Sequence, residues 1–184
     1  MRKFIFTGIC FFIVWTVTAQ KEEYKKPSLP IDSSTKTITY TKIFQVNASK
    51  DSLYRKGKQW FMLYYKNPTG VIRQDNPQEG TIMGKHQIKI LNPVDKNGIQ
   101  TMRGIVQYTI TTNYKDNKVR IVINEINLKG TSYTPIEKWL DTSSSDFTTK
   151  NYYYLEQMDK EMKNTVQQFE EYITKPVTVK KSDW

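Results

Sequence analysis

The stretch Gly80-Thr81-Ile82-Met83-Gly84-Lys85-His86 is where this sequence comes nearest to a catalytic motif. A phosphate-binding loop puts four residues between its glycines and then Lys and Ser or Thr, so that backbone amides and the lysine surround a phosphate. Here three residues separate the glycines, His follows the lysine, and the segment alternates like a strand instead of opening a helix. The glycines are expected to relieve crowding in a sheet or to admit a bulge. His86 is the only histidine, so one chain offers no histidine pair for a metal. A general base also needs a nucleophile and an orienting partner, and no spacing identifies either. His86 falls in phase with Ile82, Ile88 and Ile90, which places it at the edge of a core. Ser143-Ser144-Ser145 lacks the Gly-x-Ser-x-Gly elbow of an activated serine and reads as loop. Glu22-Glu23 and Glu170-Glu171 are adjacent pairs, and adjacency alone does not converge two carboxylates on a glycosidic bond. Tyr152-Tyr153-Tyr154 offers rings for stacking on sugars, but reads first as one buried ring and two partly exposed ones. The sequence therefore names no catalytic residue, no metal ligand and no cofactor.

Position gives more than motif. Lys85, Gln87 and Lys89 alternate with His86, Ile88 and Ile90, and Arg103, Gln107 and Arg120 fall on the polar phase of later strands. Lys85, Lys89, Arg103 and Arg120 are thus expected to share one open sheet face, a weak ligand-binding surface for phosphate, anionic glycan or lipid headgroups. The competing reading is the wet side of an antiparallel sheet, which is polar in any case.

The elements that would position these residues are legible. Residues 37–46 have strand composition. Asn47-Ala48-Ser49 breaks the strand and offers Ser49 as a helix N-cap, with Asp51 in the first turn. Leu53, Gly57, Trp60 and Tyr64 then recur at helical spacing until Asn67-Pro68. Residues 71–74 form a short strand, and 82–91 alternate as a half-buried one. Asn97-Gly98 signals a hairpin. Met102, Gly104, Val106, Tyr108 and Ile110 line one face of the next strand, and Asp116-Asn117 turns into another. In that last strand Val119, Ile121 and Ile123 give way to Ile126 and Leu128 in the opposite phase, which predicts a bulge near Asn124-Glu125. Residues 130–147 form a long connection that Ile136, Trp139 and Leu140 would anchor. Leu155, Met158, Met162, Val166, Phe169 and Ile173 make the apolar stripe of a final helix stopped by Lys175-Pro176. Both helices have one apolar face. The expectation is a two-layer α+β domain, an antiparallel sheet of about five strands with two helices on one face.

Composition sets the class. The chain has 184 residues, with 28 Lys and Arg against 18 Asp and Glu, and a single cysteine, Cys10. One core of ordinary size fits this length, and a disulfide scaffold does not fit one cysteine. Met1-Arg2-Lys3, the apolar run 4–17 and the small residues up to Ala19 read as a secretory signal peptide. Cys10 lies inside that run behind Ile9, which disfavours a lipid anchor. The expected organisation is 1–19 signal peptide, 20–36 flexible lead-in, 37–174 single domain and 175–184 tail. The mature chain would then start at Gln20, carry no thiol and span no membrane.

The strand around Tyr40, the Ser49-Lys50-Asp51-Ser52-Leu53-Tyr54 helix start, the lysines before Trp60, and Gly80-Thr81-Ile82-Met83-Gly84-Lys85 together resemble the exported bacterial family called domain of unknown function 4468. The resemblance covers roughly residues 37–172. Ser52 stands where an acidic residue is expected. It implies a fold like that of the TATA-box-binding protein, in the order β-α-β-β-β-β-α, and it implies export, with no catalytic residues to transfer. DNA binding does not follow from such a fold, and the wedge residues of a minor-groove binder are not apparent. The functional expectation is an exported, non-enzymatic domain, secreted or periplasmic, that binds a ligand the sequence does not identify or assembles with a partner; an anionic envelope component and another envelope protein are the candidates. A hydrolase acting on envelope polymer is the alternative.

Overall fold

The computed structural model describes residues 24–176, so the signal-peptide reading and the tail beyond Pro176 lie outside the described residues. Six strands form one antiparallel sheet: β1 (Tyr40–Gln45), β2 (Ile72–Asn76), β3 (Thr81–Leu91), β4 (Met102–Lys115), β5 (Lys118–Lys129) and β6 (Tyr133–Pro135). The order across the sheet is β1-β5-β4-β3-β2, and β6 pairs with the far end of β5. The sixth strand lies inside the long connection, which continues into a 3-10 turn at Ile136–Leu140. Ile136 and Trp139 of that turn are buried, as their apolar character requires.

Helix α1 (Lys50–Tyr64) starts where Ser49 accepts a hydrogen bond from the Ser52 amide. Its Gly57 is pressed against Tyr114 of β4; a β-carbon there would fall 1.8 Å from the tyrosine oxygen. Helix α3 (Lys150–Thr174) buries Leu155, Met158, Met162, Phe169 and Ile173 completely. Trp60 of α1 meets Phe169 edge-on, with ring centres 5.0 Å apart. Lys56 of α1 donates to the Ile173 carbonyl at 2.9 Å and to that of Lys175, which caps the end of α3. Both helices cover the same side of the sheet, which is the expected two-layer α+β arrangement.

Two local features differ from the reading by pattern. Asn67 and Pro68 do not simply end α1. They start a one-turn helix, α2 (Pro68–Val71), with the Asn67 side chain accepting from the Gly70 amide. The lead-in 24–36 has no regular strand, yet it is held. Its Asp32 carboxylate gathers the amides and hydroxyls of Ser34 and Thr35, Ile31 bridges to Ile38, and Tyr24 packs on Tyr153.

The sheet contains three bulges, and each holds a charged residue. In β2 the register steps from Ile72 to Gln74 and leaves Arg73 extra. In β4 it steps from Gly104 to Met102 opposite adjacent residues of β3 and leaves Arg103 extra. In β5 the predicted slip falls at Glu125, whose φ is +49°. A bulge re-aims the side chain it carries, and this decides where charge collects.

Candidate anion-binding corner

The four basic residues expected on one face do not share it. Lys85 and Lys89 do lie on the open face, and Lys129 stands in the row of Lys89 through Ile105. Arg120 is also on that face, but beside Asn113 and Ile43 at its other end. At about 3.3 Å per residue and 4.8 Å per strand, Arg120 is ~16 Å from Lys85, beyond the ~8–10 Å screening length. Its guanidinium is occupied by Asn113 Oδ1, through Nη2 at 2.8 Å and Nε at 3.2 Å. Arg103 is on the helix side. Its guanidinium sits over the rings of Trp139 and Tyr154, 5.8 and 5.6 Å from their centres. The β4 bulge is the physical reason: the extra residue leaves the alternation, and two buried rings offer a cation–π seat.

Cations converge elsewhere, at the corner where α1, α2 and β2 meet the edge of β3. A cavity of about 560 Å³ there is lined by Lys66, Arg73 and Lys85, with Tyr64, Tyr65, His86, Asn67 and Gln87. No carboxylate lines it. Among the described residues Lys66 and Arg73 have no ion-pair partner, while Lys85 shares a 3.4 Å contact with Glu125. Lys66 follows the extended residue that ends α1, and the β2 bulge supplies Arg73. Sequence alternation missed both because neither obeys a strand period. The Asn67-Pro68 pair was the available signal: Asn at a cap and Pro at the first helical position announce a new helix, and hence a corner.

His86 forms the floor. Its ring lies 4.7 Å from that of Tyr65 and 5.8 Å, edge-on, from that of Tyr108. Burial pushes its pKa below the usual histidine range, so the imidazole is neutral at pH 7. Burial likewise raises Tyr65, and raises Tyr108 to about 12. The rings are therefore uncharged contact surface and not phenolate nucleophiles. The glycines of the Gly80–Gly84 stretch behave structurally: Gly80 turns the chain at φ +64°, and Val71 and Phe61 close over Gly84.

A larger groove, about 950 Å³, runs between residues 28–30, β1 and α3. Glu170 pairs with Lys42 at 2.5 Å, and Asp159 with Lys163 at 2.6 Å while accepting from the Tyr40 hydroxyl at 2.8 Å. Among the described residues no cluster of His, Cys, Asp and Glu is arranged to hold a metal, and no helix is long and apolar enough to cross a membrane.

A family model described as "Domain of unknown function (DUF4468) with TBP-like fold" matches residues 40–129. No curated protein matches the chain. Two crystal structures are similar in fold. One is a DUF4468 family protein from Bacteroides ovatus, 16% identical, covering 77% of this chain and 89% of its own, with a TM-score of 0.62. The other is a TBP-like protein from Parabacteroides distasonis, 15% identical, covering 74% and 92%, with a TM-score of 0.59.

Proposed function

We propose, on the premise that residues 40–129 belong to the domain of unknown function (DUF4468) family with TBP-like fold, that this protein is an exported, non-catalytic binding domain whose cationic corner holds an anionic partner of the cell envelope. One observation carries the reading: Lys66, Arg73 and Lys85 line one cavity with no carboxylate among them. Like charges around a concave, low-dielectric wall add their potentials and concentrate a counter-charge. The neutral His86 and Tyr65 supply contact area without a nucleophile, which favours binding over catalysis. At the other groove Glu170 is paired with Lys42, and Lys163 with Asp159.

The test is retention of the full chain on immobilised dextran sulfate at low ionic strength. Reversing Lys66→Glu with Arg73→Glu should cut affinity more than about tenfold and leave thermal unfolding unchanged, because both side chains are exposed. Unchanged retention would reject the corner as a site. Export rests on residues 1–20; the secreted protein is expected to begin at Gln20, and a product starting at Met1 would reject it.

A further inference from the structure

The cavity is bordered by His86, from the helix side of β3, and by Lys85 and Gln87, from its open side. Successive residues of a strand point to opposite faces, so a space that meets both faces lies over the strand's edge. Beyond Gly84 no strand covers that edge among the described residues: β2 pairs with β3 only through residues 81–84, and none continues along 85–91 on that side.

The direction of the backbone groups follows from the far end. Asn92 gives its amide to the Thr101 carbonyl at 2.8 Å, toward β4. Leu91, one residue earlier, faces away from β4: the Gln157 side chain accepts from its amide at 3.2 Å and donates to its carbonyl at 2.8 Å. Backbone groups alternate sides along a strand, and the neighbouring bulge has its extra residue on β4, so β3 keeps its alternation. Gln87 and Lys89 therefore turn both amide and carbonyl outward at the edge. Gln157 seals this edge at Leu91 and leaves it open toward the cationic cavity.

We infer that the anionic partner is an extended acidic polypeptide, added to the sheet as a strand on β3 at Gln87 and Lys89. This rests on the corner being an anion site and names its occupant. Main-chain hydrogen bonds would give affinity, and side-chain alternation would give specificity. Lys85 and Lys89 flank the strand on the open side and favour acids there, while His86, Ile88 and Tyr65 on the helix side favour apolar residues. The occupant should read acid, apolar, acid, apolar. Lysines on an edge also deter promiscuous pairing, and they admit a strand that carries the opposite charge.

The probe is acetyl-Glu-Val-Glu-Val-Glu-Val-amide, added to the full chain at low salt and followed by NMR amide exchange and titration. Binding should protect the Gln87 and Lys89 amides at least tenfold and leave His86 and Ile88, already turned to β4, unchanged. The same peptide N-methylated through its four central residues should bind at least tenfold more weakly. Equal binding of the methylated peptide, protection without alternation, or binding of dextran sulfate but not of the peptide would overturn the strand and leave the anion site standing. If Lys66→Glu with Arg73→Glu changes neither peptide nor dextran sulfate binding, the anion site fails and the strand with it.

Discussion

The two edges of the sheet are built from similar residues and arranged to opposite ends. At the β1 edge, the groove against α3 is lined by Lys42, Lys163, Glu170 and Glu171; Lys42 meets Glu170 at 2.5 Å, and Lys163 meets Asp159 at 2.6 Å. Beneath it, Phe44 packs on Phe169. At the β3 edge, Lys66, Arg73 and Lys85 stand around a cavity that no carboxylate lines, Lys85 alone meeting a carboxylate, Glu125, at 3.4 Å, and neutral rings lie beneath. The larger volume is at β1. The unspent interaction capacity is at β3.

The difference teaches what volume alone hides. A charge that is already paired offers a ligand only an exchange of partners. Where like charges face open space, an incoming opposite charge loses some hydration and displaces nothing. The β1 edge should therefore carry stability and the β3 edge binding.

Phe169→Ala is the largest break expected in that division. Phe169 is fully buried, with Trp60 5.0 Å and Phe44 5.9 Å from its ring centre. Truncation removes transfer energy and leaves a cavity, at a cost of about 3 kcal/mol or more. Urea unfolding should show the midpoint falling at constant slope, while dextran sulfate binding of the folded variant stays as in the parent. A loss below about 0.5 kcal/mol would mean that the β1 side is not where the fold is held.

Much of the stabilising side was legible in the sequence, and most of the binding side was not. The α3 stripe from Leu155 to Ile173 and the alternation around Ile82 to Ile90 follow fixed periods, because one face of each element is buried. The bulge at Glu125 was legible because Ile126 and Leu128 switch phase after Ile123. The bulges at Arg73 and Arg103 were not. β2 is too short to show a phase, and the β4 bulge falls at the strand's start, before any alternation is established. Both arginines are aimed by register with a neighbouring strand, which a single chain's pattern does not contain. Lys85 and Lys89 were assigned to the right face, but their grouping with Arg120 assumed a nearness that sheet dimensions exclude.

The smallest effect tests how the carboxylate paired with Lys85 moderates the corner. Glu125 accepts from Thr109 Oγ1 at 2.6 Å and meets Lys85 Nζ at 3.4 Å. The Thr109 hydrogen bond foremost, with help from Lys85, holds its carboxyl below the usual glutamate range. It is therefore ionised at neutral pH and partly neutralises Lys85. Glu125→Gln keeps the shape and an acceptor for Thr109 and removes the charge. An exposed pair of this kind is worth under about 1 kcal/mol, so dextran sulfate should bind the variant about two- to threefold more tightly at pH 7, with stability nearly unchanged. The pH dependence has a definite sign. A depressed carboxyl contributes stability that is present above the unfolded pKa and lost as pH falls through the folded one. The pairing with Lys85 thus persists across pH 5–8, and the affinity ratio of variant to parent should be flat there. Below the usual carboxylate range Glu125 protonates, Lys85 is released, and the ratio should fall toward one. A variant that binds no more tightly at pH 7 would remove Lys85 from the corner and leave Lys66 and Arg73 to define it.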